Sequence, residues 1–182
     1  MNEQLKLDPF TWLNNRKTFD ENLPKLMKEC RKTQKFISLA MIDIDNFKSV
    51  NDLYGHAMGD RVLLYLSEML KNIQTENIHA FRIGGDEFAV LFKGCSTEET
   101  YMICEYLRTQ MLSCPLRTTD DERVTLSCGI VCIDPQNASL EMFKNTADSA
   151  LYGAKNSGRN QVVIYNELVT SSERAGIAGG KI

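Results

Sequence analysis

The segment His79–Phe92, HAFRIGGDEFAVLF, constrains the fold more than any other part of the chain. Two apolar runs suited to strands flank Gly84 and Gly85. Paired glycines between such runs mark a tight antiparallel hairpin, because glycine enters left-handed turn backbone without strain. Asp86 and Glu87 follow at once, so the hairpin presents acids at its tip. A second apolar run, Phe36–Ile44 (FISLAMIDI), reads as a buried strand and stops at Asp43 and Asp45. It too delivers carboxylates to a strand end.

Helical periodicity surrounds these strands. Thr18–Gln34 places Phe19, Leu23, Leu26 and Met27 on one face and ends in a basic turn, which requires Pro24 to lie in the first turn or two. Gly59–Ile73 places Val62, Leu63, Leu66, Met69, Leu70 and Ile73 together, with Asp60 in the first turn, where a carboxylate suits the helix dipole. Glu98–Leu112 is a further amphipathic helix, Arg123–Ile133 a strand, and Leu140–Lys155 a helix that Gly158 can stop. This order has few strictly alternating crossovers. It predicts an α+β fold with a mostly antiparallel central sheet and flanking helices.

With 182 residues, a single core with short appendages is expected. A net charge of -3 gives no electrostatic footprint for nucleic acid. No apolar run approaches the length of a membrane span and no export signal opens the chain, so a cytoplasmic location is expected, alone or as the cytoplasmic part of a larger signalling protein. The six cysteines include no CxxC pair, and there are only two histidines, so free thiols are expected rather than disulfides or structural zinc. Cys128 and Cys132 share one face of a strand and read as core residues. The Gly-rich segment 167–182 reads as a tail or linker.

A nucleoside triphosphate site needs acids for a cation, donors for phosphates and polar groups matched to the base. Asp43 and Asp86 meet across adjacent strand ends if the hairpin lies beside the first strand, and with the Ile44 carbonyl they make an oxygen set suited to magnesium. A single Asp at a strand end is more often a cap or turn residue. The spacing is what argues for a site: DIDNFKSVNDLYGHAMGD holds Lys48, Asn51, His56 and Asp60 in a polar stretch longer than a plain loop needs.

At this point the chain resembles the GGDEF-domain family of diguanylate cyclases. Gly84, Gly85, Asp86, Glu87 and Phe88 spell the family signature, preceded by Arg82 and Ile83. DIDNFKSVNDLYGHAMGD is similar to the family's metal and guanine segment, SCGIV to its late strand and LYGAKNSGRN to its phosphate-contacting turn. The resemblance implies a ferredoxin-like palm of the kind found in nucleotide cyclases and polymerases, over residues 8–166 after a short remnant at 1–7. It implies condensation of two GTP into cyclic di-GMP with release of two pyrophosphates. Asp43, Asp86 and the Ile44 carbonyl would bind Mg2+, two ions per site, with Mn2+ as a substitute. Asp86 would be the base, Glu87 would support it near the metals, and Lys48, Lys155 and Arg159 would hold the triphosphate. Each of these cations could equally be a solvated surface residue. Asn51 and Asp60 match the guanine contacts. One carboxylate accepts guanine's adjacent N1–H and N2–H2 together, whereas adenine presents an acceptor at N1. His56 matches a residue near the substrate, and a loop-ordering hydrogen bond explains it about as well.

Two departures stand out. The family opening resembles DxLTGLxNRR and this chain reads DPFTWLNNRK, so Trp12 stands where the family has glycine and a changed local turn is expected. The window for the family's RxxD inhibitory product site is Thr75–Ile78, TENI, so no such site is expected. The resemblance also implies a homodimer, since each site holds one GTP, and an upstream sensor domain in a fuller protein. A non-catalytic GTP-binding or regulatory module of the same fold is the alternative, and a palm of another cyclase or polymerase family would not account for LYGAKNSGRN.

Overall fold

The eight residues of Ile37–Ile44 are buried along their whole length, as a strand apolar at all but Ser38 and Asp43 demands when both of its faces are covered. The structure, a computed structural model, describes residues 6–117 and 123–165; the tail expected at 167–182, and the first five residues of the remnant expected at 1–7, lie outside the described residues. Along the chain the elements are β1 (Asn14–Asn15), α1 (Arg16–Thr33), β2 (Ile37–Ile44), α2 (Phe47–Tyr54), α3 (His56–Asn72), β3 (Ile78–Gly84), β4 (Glu87–Lys93), α4 (Thr97–Met111), β5 (Leu126–Ile133), α5 (Leu140–Asn156) and β6 (Val162–Tyr165).

The six strands form one sheet in the order β1-β3-β4-β2-β5-β6. The inner pairings β3–β4, β4–β2 and β2–β5 are antiparallel, and the edge pairings β1–β3 and β5–β6 are parallel. The inner strands with α3 and α4 therefore follow the β-α-β-β-α-β order of a ferredoxin-like palm. The α+β architecture with a mostly antiparallel sheet holds, the two parallel pairings lying at its edges. The edge strands β1 and β6 carry too few residues for a readable pattern of their own; pairing with β3 and β5 creates them.

Side chains alternate across β2 with period two. Ala40, Ile42 and Ile44 face α3 and α4, packing with Val62, Leu66, Leu70 and Leu107, while Ile37, Leu39 and Met41 face α1 and α5, packing with Phe19, Leu23, Phe143 and Leu151. Gly129 of β5 lets α5 approach the sheet closely. A Cβ there would meet the backbone of Ala150 and Leu151 in α5.

Several boundaries differ from the sequence reading. Pro24 lies in the interior of α1, its ninth residue, because the helix already starts at Arg16 behind an Asn15 cap that accepts from the Thr18 amide. The lost backbone bond costs about 3 kcal/mol, and the buried face Leu23, Leu26, Met27 and Cys30 on the same helix offsets it. Residues 47–54, with no long apolar stripe, form α2. Helix α3 starts at His56 rather than Gly59, so Asp60 lies in the second turn and not the first. Strand β5 begins at Leu126, three residues after Arg123. Cys128 is in the core as expected, but Cys132, near the far end of β5, is only half-buried; all six cysteines are free.

Gly129→Ala should lower stability by about 2 kcal/mol or more, since a methyl placed against backbone, unlike one against a flexible side chain, forces whole elements apart. Urea unfolding monitored by circular dichroism measures it.

Candidate active site

The hairpin tip is built by β3 and β4. Gly84 pairs with Glu87, so the loop is Gly85–Asp86, with Gly85 at φ +51 as a tight turn requires. The diglycine thus divides between strand end and turn, and of the two acids Asp86 sits in the turn while Glu87 opens β4. Beside it, Asp43 of β2 is directly opposite Glu87, and the Ile44 amide donates to the Asp86 carbonyl at 3.4 Å. The strand ends that carry Asp43 and Asp86 are adjacent, and the residue directly opposite Asp43 is Glu87.

Asp43 has only 9% of its side chain exposed, and its Oδ2 lies 2.8 Å from Lys155 Nζ of α5. Burial, with the negative charges of Asp86 and Glu87 adding to it, pushes its carboxyl up to about 6 in spite of Lys155. The cluster therefore carries more negative charge than one lysine neutralises. Lys155, expected on a triphosphate, is here the counter-ion of Asp43. No group of three or more His, Cys, Asp or Glu side chains set to hold a metal exists among the described residues. Asp43, Asp86 and Glu87 put hard carboxylate oxygens at these strand ends, the donor chemistry that magnesium takes beside waters and substrate phosphates.

The second part of the site comes from α2 and α3, joined at Gly55 with φ +81. The Asn51 side chain lies against Gly59, where any Cβ would collide with its carboxamide, so this glycine admits Asn51 beside Asp60. Asp60, His56 and Lys48 are exposed, and none of their side chains has a hydrogen bond or ion pair among the described residues. Asn46, left-handed at φ +54, precedes α2 without a side-chain cap, so the first amides of that helix point out unpaired by the helix itself. Asn46, Gly158, Arg159 and Asn160 line a cleft of about 400 Å3 there. Arg159 and the start of α2 are brought together; Lys155 and Glu87 instead share the neighbouring cavity of about 330 Å3 between α1 and α5.

Asp45, given no role from sequence, is what joins these parts. Buried to 3% exposure, it accepts from Thr125 Oγ1 at 2.7 Å, Ser127 Oγ at 2.7 Å and the Asn160 amide at 3.0 Å. It anchors the turn carrying Arg159 to the ends of β2 and β5. The signal was present as the second acid of DID, but its partners lie at residues 125–160 and no local pattern points to them.

Comparison with known proteins places the chain in a family. Residues 5–161 match the family model described as diguanylate cyclase, GGDEF domain. The chain belongs to the GGDEF-domain family. The GGDEF domain of DgcB from Caulobacter crescentus, solved in complex with c-di-GMP, superposes with a TM-score of 0.81 at 32% identity, covering 90% of this chain and 95% of that one. The diguanylate cyclase SiaD of Pseudomonas aeruginosa, solved with its activator SiaC, gives 0.79 at 32% identity, covering 87% of this chain and 61% of that one. An uncharacterized membrane protein of Staphylococcus aureus (strain USA300) is 34% identical over 90% of this chain and 47% of its own length. The chain thus spans about half the length of the curated relatives it matches, and no helix among its described residues is long and apolar enough to cross a membrane.

Within this GGDEF domain the glycine-to-Trp departure is absorbed as backbone strain. Trp12 adopts φ +60 and is 62% exposed, a conformation that is an outlier for a bulky residue. The Thr75–Ile78 window is a tight turn closed by the Thr75 amide donating to the Ile78 carbonyl at 3.1 Å, and its one charged side chain is Glu76.

Because the folded carboxyl of Asp43 titrates near 6 against an ordinary 3.8, the folded state binds this proton more tightly than the unfolded state. Its stabilising protonation is complete below about pH 4 and is lost as pH rises through 6, about 1.4 kcal/mol per unit of separation. In chelator, Asp43→Asn should be more stable than the parent at pH 7, and the two should converge near pH 4; urea titrations at both values check this. Trp12→Gly should raise the melting temperature, by the equivalent of about 1 kcal/mol, once strain relief is set against the added freedom of the unfolded chain.

Proposed function

We propose that this chain is a diguanylate cyclase domain: the 3'-hydroxyl of one GTP attacks the α-phosphate of another, pyrophosphate leaves, and the reciprocal step closes cyclic di-GMP. The observation that carries this reading is the convergence of Asp43, Asp86 and Glu87 at adjacent strand ends, partly neutralised by Lys155. Such an excess of negative charge fits divalent cations, with Asp43, Asp86 and the Ile44 carbonyl holding Mg2+. Bound there, the cations would make the attacking hydroxyl more acidic, easing loss of its proton, and would neutralise charge developing on the α-phosphate.

The chain's own residues supply the rest. Asp86, in the turn, accepts the proton of the 3'-hydroxyl. Arg159, with a planar fork of donors, and the first amides of α2 hold phosphate oxygens, with Lys48 and Lys155 adding point charge. In this reading, Lys155 exchanges Asp43 for phosphate when a cation takes its place. Asn51 and Asp60 bind the guanine edge, which selects GTP over ATP. One site holds one GTP, so two copies facing each other across a two-fold axis are required.

The chain incubated with GTP and Mg2+, alone and fused to a dimerising segment, should yield cyclic di-GMP by mass spectrometry, with rate per chain rising with concentration in the unfused form. Asp86→Ala should remove the product while leaving the melting temperature within a few degrees. No product from the dimerised parent would favour a GTP-binding module without catalysis. Asp60→Ala should lower the preference for GTP over ATP by about tenfold or more, the discrimination expected from losing a paired polar contact.

A further inference from the structure

The turn that carries Asp86 has little intrinsic rigidity. Gly84 and Gly85 are exposed with open space where a Cβ would lie, and the β3–β4 register slips between Arg82 and Gly84. What holds the turn comes from outside it. Arg82 Nε and Nη2 both donate to the Gly85 carbonyl, at 3.2 and 2.9 Å, and Nη1 donates to Asp8 Oδ1 at 3.1 Å. The same oxygen accepts from the Thr11 amide and hydroxyl, both at 2.7 Å. The Arg82 guanidinium also lies 5.4 Å from the centre of the Phe10 ring, and its side chain is 15% exposed. Burial raises the Asp8 carboxyl, and the bonds from Thr11 and Arg82 outweigh it, so the group sits below its ordinary value and is ionised at neutral pH.

The Gly85 carbonyl and the Asp86 amide belong to one rigid peptide plane. Two donors from a planar fork on one oxygen fix that plane, a constraint a lysine's single flexible ammonium cannot reproduce. We propose that Arg82, oriented by Asp8, is a positioning residue: it sets the backbone from which Asp86 projects and makes the active-site turn depend on the Asp8–Leu13 turn. That second turn is closed by the Asp8 amide donating to the Leu13 carbonyl at 2.7 Å and the Trp12 amide donating to the Asp8 carbonyl at 2.8 Å. It leads directly into β1, which pairs with β3 at Phe81 and Arg82. A displacement of the segment before α1 therefore reaches Asp86 through side-chain and sheet contacts together.

The catalytic arm of the test rests on the cyclase reading; the structural arm does not. Arg82→Lys keeps the charge and removes the fork, and Asp8→Asn removes the charge facing Arg82 while leaving a carbonyl oxygen for Thr11. In the nucleotide-free chain, 15N order parameters of the Gly85 and Asp86 amides should fall in both variants, with those of Phe88–Phe92 unchanged. In the dimerised chain, kcat for cyclic di-GMP should fall about tenfold or more while KM for GTP stays within about threefold, because the guanine and phosphate groups sit on other elements. Asp8→Asn should add little in an Arg82→Lys background, since it acts through that residue. Unchanged order parameters, a loss confined to KM, or fully additive effects would overturn the proposal. A parent that makes no product would sink the cyclase reading, and the order parameters would still decide this one.

Discussion

Asp43 keeps 9% of its side chain exposed at the end of the sheet's most buried strand, and a carboxylate so placed costs several kcal/mol unless a cation faces it. Asp86 and Glu87 on the adjoining strand make the deficit larger. Lys155 answers it in part, and its position on α5 is fixed by the packing of that helix against β5 at Gly129. The charge balance at one strand end thus ties the hairpin, the central strand and the last helix to each other. It also leaves negative charge from Asp86 and Glu87 that one lysine does not neutralise.

The rest of the candidate site is arranged by what surrounds this point. Asp45, two residues on, is fully served by Thr125, Ser127 and Asn160, so two acids of one DID triplet have opposite roles. One is a satisfied buried anchor, and the other is left with an imperfect counter-ion. Burial alone does not separate them; the number of hydrogen-bond donors within reach does. The anchor carries the turn of Arg159 to the start of α2, where helix amides and a guanidinium face one cleft.

The hairpin tip was legible in the sequence because its signals are local: two strand-like runs, two glycines and two acids. The α1, α3, α4 and α5 helices were legible for a similar reason, since each carries an apolar stripe at helical spacing. Helix α2 was not, because its eight residues bury only Val50, and its existence depends on docking against α3 through Asn51 and Gly59. Strands β1 and β6 exist only as partners of β3 and β5. Pro24 argued for a helix beginning near it, yet the Asn15 cap and the buried face of α1 outweigh one missing hydrogen bond.

The sequence by itself determined the α+β class, the acids at two strand ends, the glycine turn and the family resemblance, because each rests on residues adjacent in the chain or repeated at a fixed period. Only the tertiary structure decided that Lys155 pairs with Asp43, that Asp45 holds the Arg159 turn, that Trp12 is carried at positive φ, and that Asp8 reaches the Gly85 carbonyl through Arg82. Side-chain pairings of this kind span up to 115 residues of sequence. They are set by which strand ends and helix termini the sheet order brings together, and no local periodicity encodes that order.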